Sequence, residues 1–190
     1  MVLEMVQIKL LQLKELHLEK IRVWRMSNEV TSYMYTDPNI TPEEQKQWFE
    51  RVRLDQTKKF WVVNVDDLKV GLVSLYDIDQ VNERCFWAYY LADPSVRGKG
   101  VGGAIELNIL RYVFGVMNLN KLCCEVLASN EKVVEIHKKF GSKVEGIFRE
   151  HICKNGVFLD VVRLGILKSE WKNDVKDKFI IPEIEIEQGP

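Results

Sequence analysis

Apolar and polar residues alternate along several short segments of the chain, a pattern typical of β-strands. Seven segments are predicted as strands, either from this alternation or from a short apolar run rich in β-branched and aromatic residues. They are residues 6–13, 59–65, 69–78, 83–93, 120–128, 143–154 and 157–171. Asp66-Asp67 and Asn155-Gly156 each separate two consecutive segments, so each dipeptide predicts a hairpin. Antiparallel strands are therefore expected on both sides of the middle of the chain.

Helical spacing occupies the stretches between these segments. Residues 41–44, TPEE, form a typical helix start: a capping threonine, a proline at the first helical position, and carboxylates at the positive helix end. Residues 19–35 mix helical spacing with polar residues. Gly141 is placed to end a helix as its C-cap. Three helices are predicted, over residues 42–55, 101–115 and 131–140.

The order of the elements is β, helices, βββ, glycine loop, α, β, α, ββ. This order predicts one mixed α/β (α+β) domain over residues 1–171, with a sheet of about seven strands flanked by about four helices. Residues 172–190 are predicted to be a charged C-terminal extension. Its segment FIIPEIEIE alternates apolar and charged residues, which raises the hypothesis that it adds a strand to the partner in a homodimer.

Composition narrows the functional classes. The 190 residues are 46% hydrophobic, which suits one domain with a real core, and the net charge is −1. This balance gives no argument for a nucleic-acid or membrane partner. No run approaches the roughly 18 apolar residues of a membrane span, and no signal-peptide pattern opens the chain, so we expect a cytoplasmic protein.

Cysteine and histidine positions argue against a metal site. The four cysteines, Cys85, Cys123, Cys124 and Cys153, form no C-x-x-C pair, and the three histidines show no ligand spacing. Reduced, buried thiols are the expected state. No metal is predicted.

The stretch RGKGVGG, residues 97–103, holds four glycines directly before an apolar helical run. Read as G-x-G-x-x-G, with Glu125 placed 22 residues after Gly103, it matches a dinucleotide fingerprint. That fingerprint requires a tight turn directly after the strand, but residues 93–97 intervene, and only 87 residues follow Gly103. The triphosphate motif G-x-x-x-x-G-K-[ST] does not occur.

Anion binding explains the glycines better than a merely flexible loop. Each glycine costs roughly 0.5–1 kcal/mol relative to alanine inside an element, and close approach of a ligand to the backbone justifies that cost. The free N–H groups of a helix start, the helix dipole, Arg97 and Lys99 all favour a phosphate group there.

Arg97, Gly100 and Gly102 form Arg-x-x-Gly-x-Gly, between a strand ending in Asp-Pro and a helix. With YYLADPSVRGKGVGGAIELNILRYVF and NKLCCEVLASNEKVVEIHKKFGSKVEG, this arrangement resembles the GNAT superfamily of N-acetyltransferases over most of the chain. The resemblance implies the GNAT fold, with splayed central strands, and acetyl-CoA as cosubstrate.

The resemblance also implies which residues bind the cofactor. The pantetheine arm is expected to pair with the backbone of Tyr90, Leu91 and Ala92, and Asn130 is expected to contact the cofactor from the next helix. The pyrophosphate is expected on the loop and helix start, formed by Arg97, Gly98, Lys99, Gly100, Val101, Gly102 and Gly103.

In this family a neutral amine attacks the thioester directly. A backbone N–H near Leu91 or Ala92 is the expected oxyanion donor. The family usually has a tyrosine acid where this chain has His137, whose unperturbed pKa of about 6.5 would leave it mostly neutral at pH 7. Glu125 is a candidate general base, with Glu150, His151 and a water chain as alternatives.

The regions before Trp48 and in the last hairpin resemble amino-sugar N-acetyltransferases of pseudaminic acid synthesis. Their acceptor is UDP-4-amino-4,6-dideoxy-N-acetyl-β-L-altrosamine. The predicted acceptor-binding residues are Arg25, Met34, Tyr35, Trp48 and His151.

Other functions remain open at this stage. A ribosomal-protein N-terminal or polyamine N-acetyltransferase would use a carboxylate-rich cleft, and Asp37, Glu43 and Glu44 could line one. A non-catalytic acyl-CoA-binding module is a further alternative, since the usual tyrosine is missing.

Overall fold

The computed structural model describes residues 6–179 and 182–188, which build one eight-stranded mixed sheet with helices on both faces. The strands are β1 (Ile8–Gln12), β2 (Lys59–Val65), β3 (Leu68–Asp79), β4 (Arg84–Leu91), β5 (Lys121–Leu127), β6 (Lys143–Lys154), β7 (Val157–Leu167) and β8 (Glu185–Ile186). Their order across the sheet is β6-β7-β5-β4-β3-β2-β1-β8. The predicted mixed α/β fold is confirmed, with one strand more than the seven expected.

The helices lie mainly where the sequence pattern predicts them. They are α1 (Leu18–Met26), α2 (Asn28–Thr31), α3 (Pro42–Val52), α4 (Val101–Arg111), α5 (Glu131–Lys139) and α6 (Lys168–Glu170). Helices α4 and α6 continue as π-helical turns over Tyr112–Val116 and Trp171–Val175. Among the helices described, none is both long and apolar enough to cross a bilayer.

Local chemistry sets the element boundaries. The hydroxyl of Thr41 accepts a hydrogen bond from the N–H of Glu44, whose carboxylate accepts one from the N–H of Thr41, so α3 begins with a capping box. The last predicted strand extends to residue 171, but β7 ends at Leu167. There the Glu170 carboxylate accepts the N–H of Leu167 at 2.9 Å, which starts a helix instead.

Both predicted hairpins are present, because their turn residues adopt the backbone conformation that such turns require. Asp66 and Asp67 have φ of 47° and 64°, and Asn155 and Gly156 have φ of 51° and 79°. Two consecutive positive φ values match the right-handed twist of the flanking strands.

Alternation along the strands divides the apolar residues between two cores. The first core joins the sheet to α4 and α5 and includes Trp61, Val63 and Trp87. The second joins the opposite face to α1 and α3 and includes Ile21 and Val62. The sheet is therefore covered on both faces, and any ligand must enter where strands or helices separate.

The central parallel strands separate. β4 pairs with β5 only from Arg84 opposite Lys121 to Phe86 opposite Cys123. Farther on, β4 stays paired with β3 as far as Leu91, and β5 stays paired with β7. The backbones of β4 and β5 thus diverge into a wedge, called the gap below, as the splayed-strand expectation requires.

The described part of the C-terminal tail completes its own chain's sheet. β8 pairs in parallel with β1, and the N–H of Glu187 donates to the carbonyl of Leu10 at 2.9 Å. The indole N–H of Trp61 donates to the carbonyl of Glu187 at 2.8 Å, and Ile186 packs against the first core. The described tail thus pairs within its own chain, and the homodimer stays a prediction.

Deleting residues 182–190 should destabilise the fold, because it uncovers Trp61, which is only 3% exposed in the intact chain. Exposing a large apolar side chain costs about 1.5–3 kcal/mol, so thermal unfolding should occur roughly 3–10 °C lower. Differential scanning calorimetry measures the change.

Trp61→Phe provides the matched comparison, because it removes the indole N–H together with part of the ring, and only the full chain offers that N–H its acceptor at Glu187. The substitution should cost stability in the full chain and clearly less in the shortened chain. Equal costs in both backgrounds would show that the bond to Glu187 contributes nothing.

Candidate functional site

The glycine loop leaves open space at the start of α4. Gly98 and Gly100 both have φ of +77°, a left-handed conformation that side-chain-bearing residues rarely adopt. A Cβ added at either position would meet nothing within 4 Å among the described atoms. Gly100 immediately precedes α4, whose first N–H groups have no acceptor within the helix. The loop therefore offers free backbone donors beside an open surface, which fits an anion.

The other two glycines of the loop have a different role. A Cβ at Gly102 would lie 3.1 Å from the hydroxyl of Tyr89, and one at Gly103 would lie 3.0 Å from the ring of Phe140. These glycines let α4 pack closely on β4 and on the end of α5. The sequence predicts that all four glycines allow backbone approach by a ligand; at these two, internal packing also requires a glycine, and their contact with the cofactor stays a prediction.

Cationic and polar side chains surround the loop. Arg97 and Lys99 are exposed. Asn130 is the N-cap residue of α5, but its side chain makes no capping hydrogen bond to that described helix. The amide is thus available to a ligand rather than used as an ordinary cap.

The gap exposes the backbone of β4. The N–H of Ala92 donates to the carbonyl of Val70 at 2.8 Å, so it is not available as an oxyanion donor. Because successive residues of a strand direct their N–H groups to opposite edges, the N–H of Leu91 faces the gap. Of the two predicted oxyanion donors, Leu91 fits the geometry and Ala92 does not.

His137 lies at the base of the gap, on the face of the sheet covered by α4 and α5. Its Nδ1 is 2.8 Å from Oε1 of Glu106 in α4, and both side chains are less than 5% exposed. Its ring meets that of Trp87 edge-on, with centroids 5.4 Å apart. Cys124, its third neighbour, forms a hydrogen bond to it.

Burial by itself would lower the pKa of His137. The hydrogen bonds to Cys124 and Glu106, followed by the charges of the same two groups, outweigh burial and raise the pKa to about 10. His137 is therefore an imidazolium at neutral pH, not the neutral ring expected from its unperturbed pKa.

Glu125 occupies the opposite face of the sheet. Arg163, its cross-strand neighbour on β7, donates to its carboxylate at 2.6 Å, and Tyr35 donates from its hydroxyl at 3.2 Å. The guanidinium of Arg163 also lies 3.9 Å from the ring centre of Phe86. Burial, followed by the charge of Glu125, raises the pKa of Tyr35, which therefore remains a hydrogen-bond donor.

A cavity of about 760 Å³ lies on this same face, between α1, α3 and the strands β3 and β4. Three of the predicted acceptor residues, Arg25, Met34 and Trp48, line it. The Nε of Arg25 and the hydroxyl of Tyr90 are both buried there without a hydrogen-bond partner among the described residues. Such groups are costly unless a ligand satisfies them.

The remaining predicted site residues lie elsewhere. Tyr35 contacts Glu125 rather than lining the cavity. His151 is exposed on β6 beside Phe148, at 5.1 Å between ring centres, and is not among the residues that line the cavity. Its assignment to the acceptor site is not supported by the geometry, because β6 is the outer strand of the sheet, two positions from the gap.

Sequence reasoning missed two residues of this region. Glu106 is a carboxylate in the otherwise apolar central turn of α4, and that exception was the available signal. Arg163 gave no such signal, because its partner is 38 residues away in the sequence. Across the described ranges, no group of three or more His, Cys, Asp or Glu side chains is arranged to hold a metal ion.

Comparison with known proteins gives a match to the family model of the acetyltransferase (GNAT) domain over residues 7–143. Spermidine N(1)-acetyltransferase of Escherichia coli is 29% identical over 163 residues, covering 84% of this chain and 87% of the relative. Acetyltransferase PseH of Campylobacter jejuni is 27% identical over 135 residues, covering 70% of this chain and 82% of the relative.

A solved structure shows the same fold. Spermidine N-acetyltransferase from Vibrio cholerae, in complex with CoA and spermine, superposes with a TM-score of 0.82 at 26% identity. The match covers 88% of this chain and 99% of the other.

Gly100→Val should weaken CoA binding by about tenfold or more. Valine cannot hold a φ of +77° without strain of roughly 1–2 kcal/mol, and its side chain fills the space beside the helix start. Isothermal titration with CoA measures the loss. Gly146→Val is the matched control, since a Cβ there also meets open space and no positive φ is required. Unchanged affinity for CoA in Gly100→Val would show that the loop is not part of the CoA-binding site.

Proposed function

This chain belongs to the GNAT acetyltransferase family, and we propose that the amine it acetylates belongs to a nucleotide-linked amino sugar. The family membership makes it an N-acetyltransferase, which sets aside the alternative of a non-catalytic acyl-CoA-binding module. The observation that carries the acceptor proposal is the Nε of Arg25, which is buried in the cavity and has no hydrogen-bond partner among the described residues.

The residues around the glycine loop fit acetyl-CoA, which supplies the acetyl group as a thioester. The open space at Gly98 and Gly100 and the free N–H groups of the helix start would hold its pyrophosphate. Arg97 adds positive charge, and the uncommitted amide of Asn130 adds a polar contact. In the gap, Leu91 would offer its backbone groups to the pantetheine arm.

Two candidate proton carriers lie on opposite faces of the sheet at the gap. Glu125 is on the cavity side, where it would accept a proton from the attacking amine, directly or through water. His137 is on the side of α4 and α5, where it would donate a proton to the departing sulfur. The N–H of Leu91 would stabilise the oxyanion between them.

The cavity suits a large, partly apolar and anionic acceptor. Its volume lies within the range of small-molecule sites, and Trp48 and Phe60 give it an aromatic wall, with ring centres 5.1 Å apart. The guanidinium of Arg25 would bind a phosphate oxygen, and the hydroxyl of Tyr90 a second polar group. A deoxysugar linked to a nucleoside diphosphate combines these properties.

Polyamines are the second candidate, and the comparisons favour them. The spermidine N-acetyltransferases match more of the chain than PseH does. A polyamine requires free carboxylates, and Glu44 and Asp55 line the cavity. Glu44, however, caps α3, and Asp55 bonds Thr57 and Lys58.

Two further carboxylates are predicted for a polyamine site, Asp37 and Glu43; Asp37 is also engaged, and Glu43 is not among the residues that line the cavity. Asp37 accepts hydrogen bonds from Lys154 at 2.9 Å and from Asn155 at 2.7 Å. The cavity lining carries three cations, Arg25, Arg51 and Lys58, and two carboxylates, Glu44 and Asp55. This charge favours a phosphate-bearing acceptor over a polycation.

Coenzyme A release from acetyl-CoA should be fastest with a UDP-4-amino-4,6-dideoxy sugar and slow with spermidine or ribosomal N-terminal peptides. Arg25→Met should raise the KM for the nucleotide sugar by about tenfold or more, because one charge-assisted hydrogen bond is lost. Its KM for spermidine, if measurable, should fall or stay constant.

Arg53→Met is the matched control, because Arg53 is exposed and pairs with Glu50 outside the cavity lining. Turnover of spermidine alone would overturn the nucleotide-sugar proposal and establish the polyamine candidate. Turnover of peptides alone would overturn both.

A further inference from the structure

We propose that Glu106 is a positioning residue that holds His137 as the proton donor in place of the tyrosine usual in the family. The inference deepens the proposed function, on which it rests. Nothing in the family resemblance points to Glu106, and its contact with His137 spans 31 residues of sequence.

Burial makes the pairing of the two side chains obligatory. Glu106 is 1% exposed and His137 is 3% exposed. An unpaired carboxylate at that depth is strongly destabilising. Within the described residues, Oε2 of Glu106 has no hydrogen-bond partner, so its contact with His137 through Oε1 is its principal compensation.

The position of the pair relates it to the gap. Trp87 and Cys124 are the first residues of β4 and β5 beyond the last paired positions, Phe86 and Cys123. His137 contacts both of them, so its ring lies under the point where the strands diverge. A thioester lying in the gap would therefore have the imidazole beneath it.

The charged groups around His137 come from three elements. Glu106 lies on α4, the Cys124 thiol on β5, and the Tyr89 phenol on β4, where its ring stacks on that of Trp87. Burial, followed by the charge of Glu106, raises the pKa of Tyr89, so it stays neutral. Cys124 and Glu106 are thus the two groups among these that favour the proton on the ring, and Glu106 is the one in direct contact with Nδ1 at 2.8 Å.

The coupling restores the acidity of the side chain that His137 replaces. A free tyrosine has a pKa of about 10 and a free histidine one of about 6.5. Coupling to Cys124 and Glu106 raises the pKa of His137 to about 10, the value of a phenol. Like tyrosine, the pair keeps its proton throughout the neutral range and releases it only to a developing thiolate.

The proton balance of the step is simple. The Nδ1–H of His137 remains hydrogen-bonded to Glu106. The other ring nitrogen, Nε2, gives its proton to the sulfur as the carbon–sulfur bond breaks. The sulfur keeps the electron pair of that bond. The attacking amine loses one proton, and the neutral imidazole takes up one proton from solvent. The complete reaction therefore produces no net change in charge.

The first experiment follows the histidine ring directly and needs no acceptor. In ¹⁵N-histidine-labelled protein, His137 should remain an imidazolium beyond pH 8. In Glu106→Gln its titration should move roughly one to three pH units lower. The exposed ring of His151 is the internal reference. Titration of His137 at the same pH in both proteins would overturn the proposal, whatever the acceptor proves to be.

The second experiment separates positioning from a merely structural role. Glu106→Gln should lower kcat by about tenfold or more and move the alkaline limb of the pH–rate profile to lower pH. Glu135→Gln is the matched control. It breaks the exposed pair with Lys138 on α5, the helix that carries His137, and should change neither kcat nor the alkaline limb.

Tyrosine at position 137 provides the decisive background. Glu106→Gln combined with His137→Tyr should recover turnover, because a phenol needs no carboxylate to keep its proton near neutral pH. Thermal unfolding and CoA affinity verify that each variant folds. A Glu106→Gln penalty of the same size in both backgrounds would make Glu106 a packing residue and overturn the proposal.

Discussion

Hydrogen bonding between β4 and β5 stops after three residue pairs, and the arrangement of the site depends on that interruption. If the pairing continued, the N–H of Leu91 would be spent on a neighbouring strand, as the N–H of Ala92 is on Val70. Instead, β4 remains held from one side by β3 while its other edge is free. The glycine loop follows the end of β4, and α5 follows the end of β5. The loop and the start of α5 therefore meet at the mouth of the gap.

Two carboxylates at the gap, Glu106 and Glu125, have different proposed roles because their surroundings differ. Glu106 is enclosed and shares a proton-bearing contact with His137, whereas Glu125 lies partly exposed between Arg163 and Tyr35. The sheet separates them. Protons that leave the amine and protons that reach the sulfur need not travel through one group, because each face of the sheet carries its own set of titratable side chains.

Local signals in the sequence were sufficient for most of the fold. The hairpins at Asp66-Asp67 and Asn155-Gly156, the capping box at Thr41 and the glycine C-cap at Gly141, with φ of +95°, each depend on neighbouring residues alone. The contacts between Glu106 and His137 and between Glu125 and Arg163 depend on strand register and helix packing, which spacing in a single sequence does not contain. The same reason explains why the sequence did not show that His151 lies away from the cavity: the pattern identified its strand but not the strand's place at the edge of the sheet.

The pairing of β8 with β1 has a consequence for how the protein is made. Gln12 and Glu187, joined by a hydrogen bond of 2.9 Å, are separated by 175 positions. During synthesis β1 leaves the ribosome early, and its outer edge must wait for nearly all of the remaining chain before β8 can cover it. That edge is a site where a nascent chain could pair with the wrong strand. Slow translation would lengthen its exposure, so the docking of β8 is a late step of folding that covers the edge of β1.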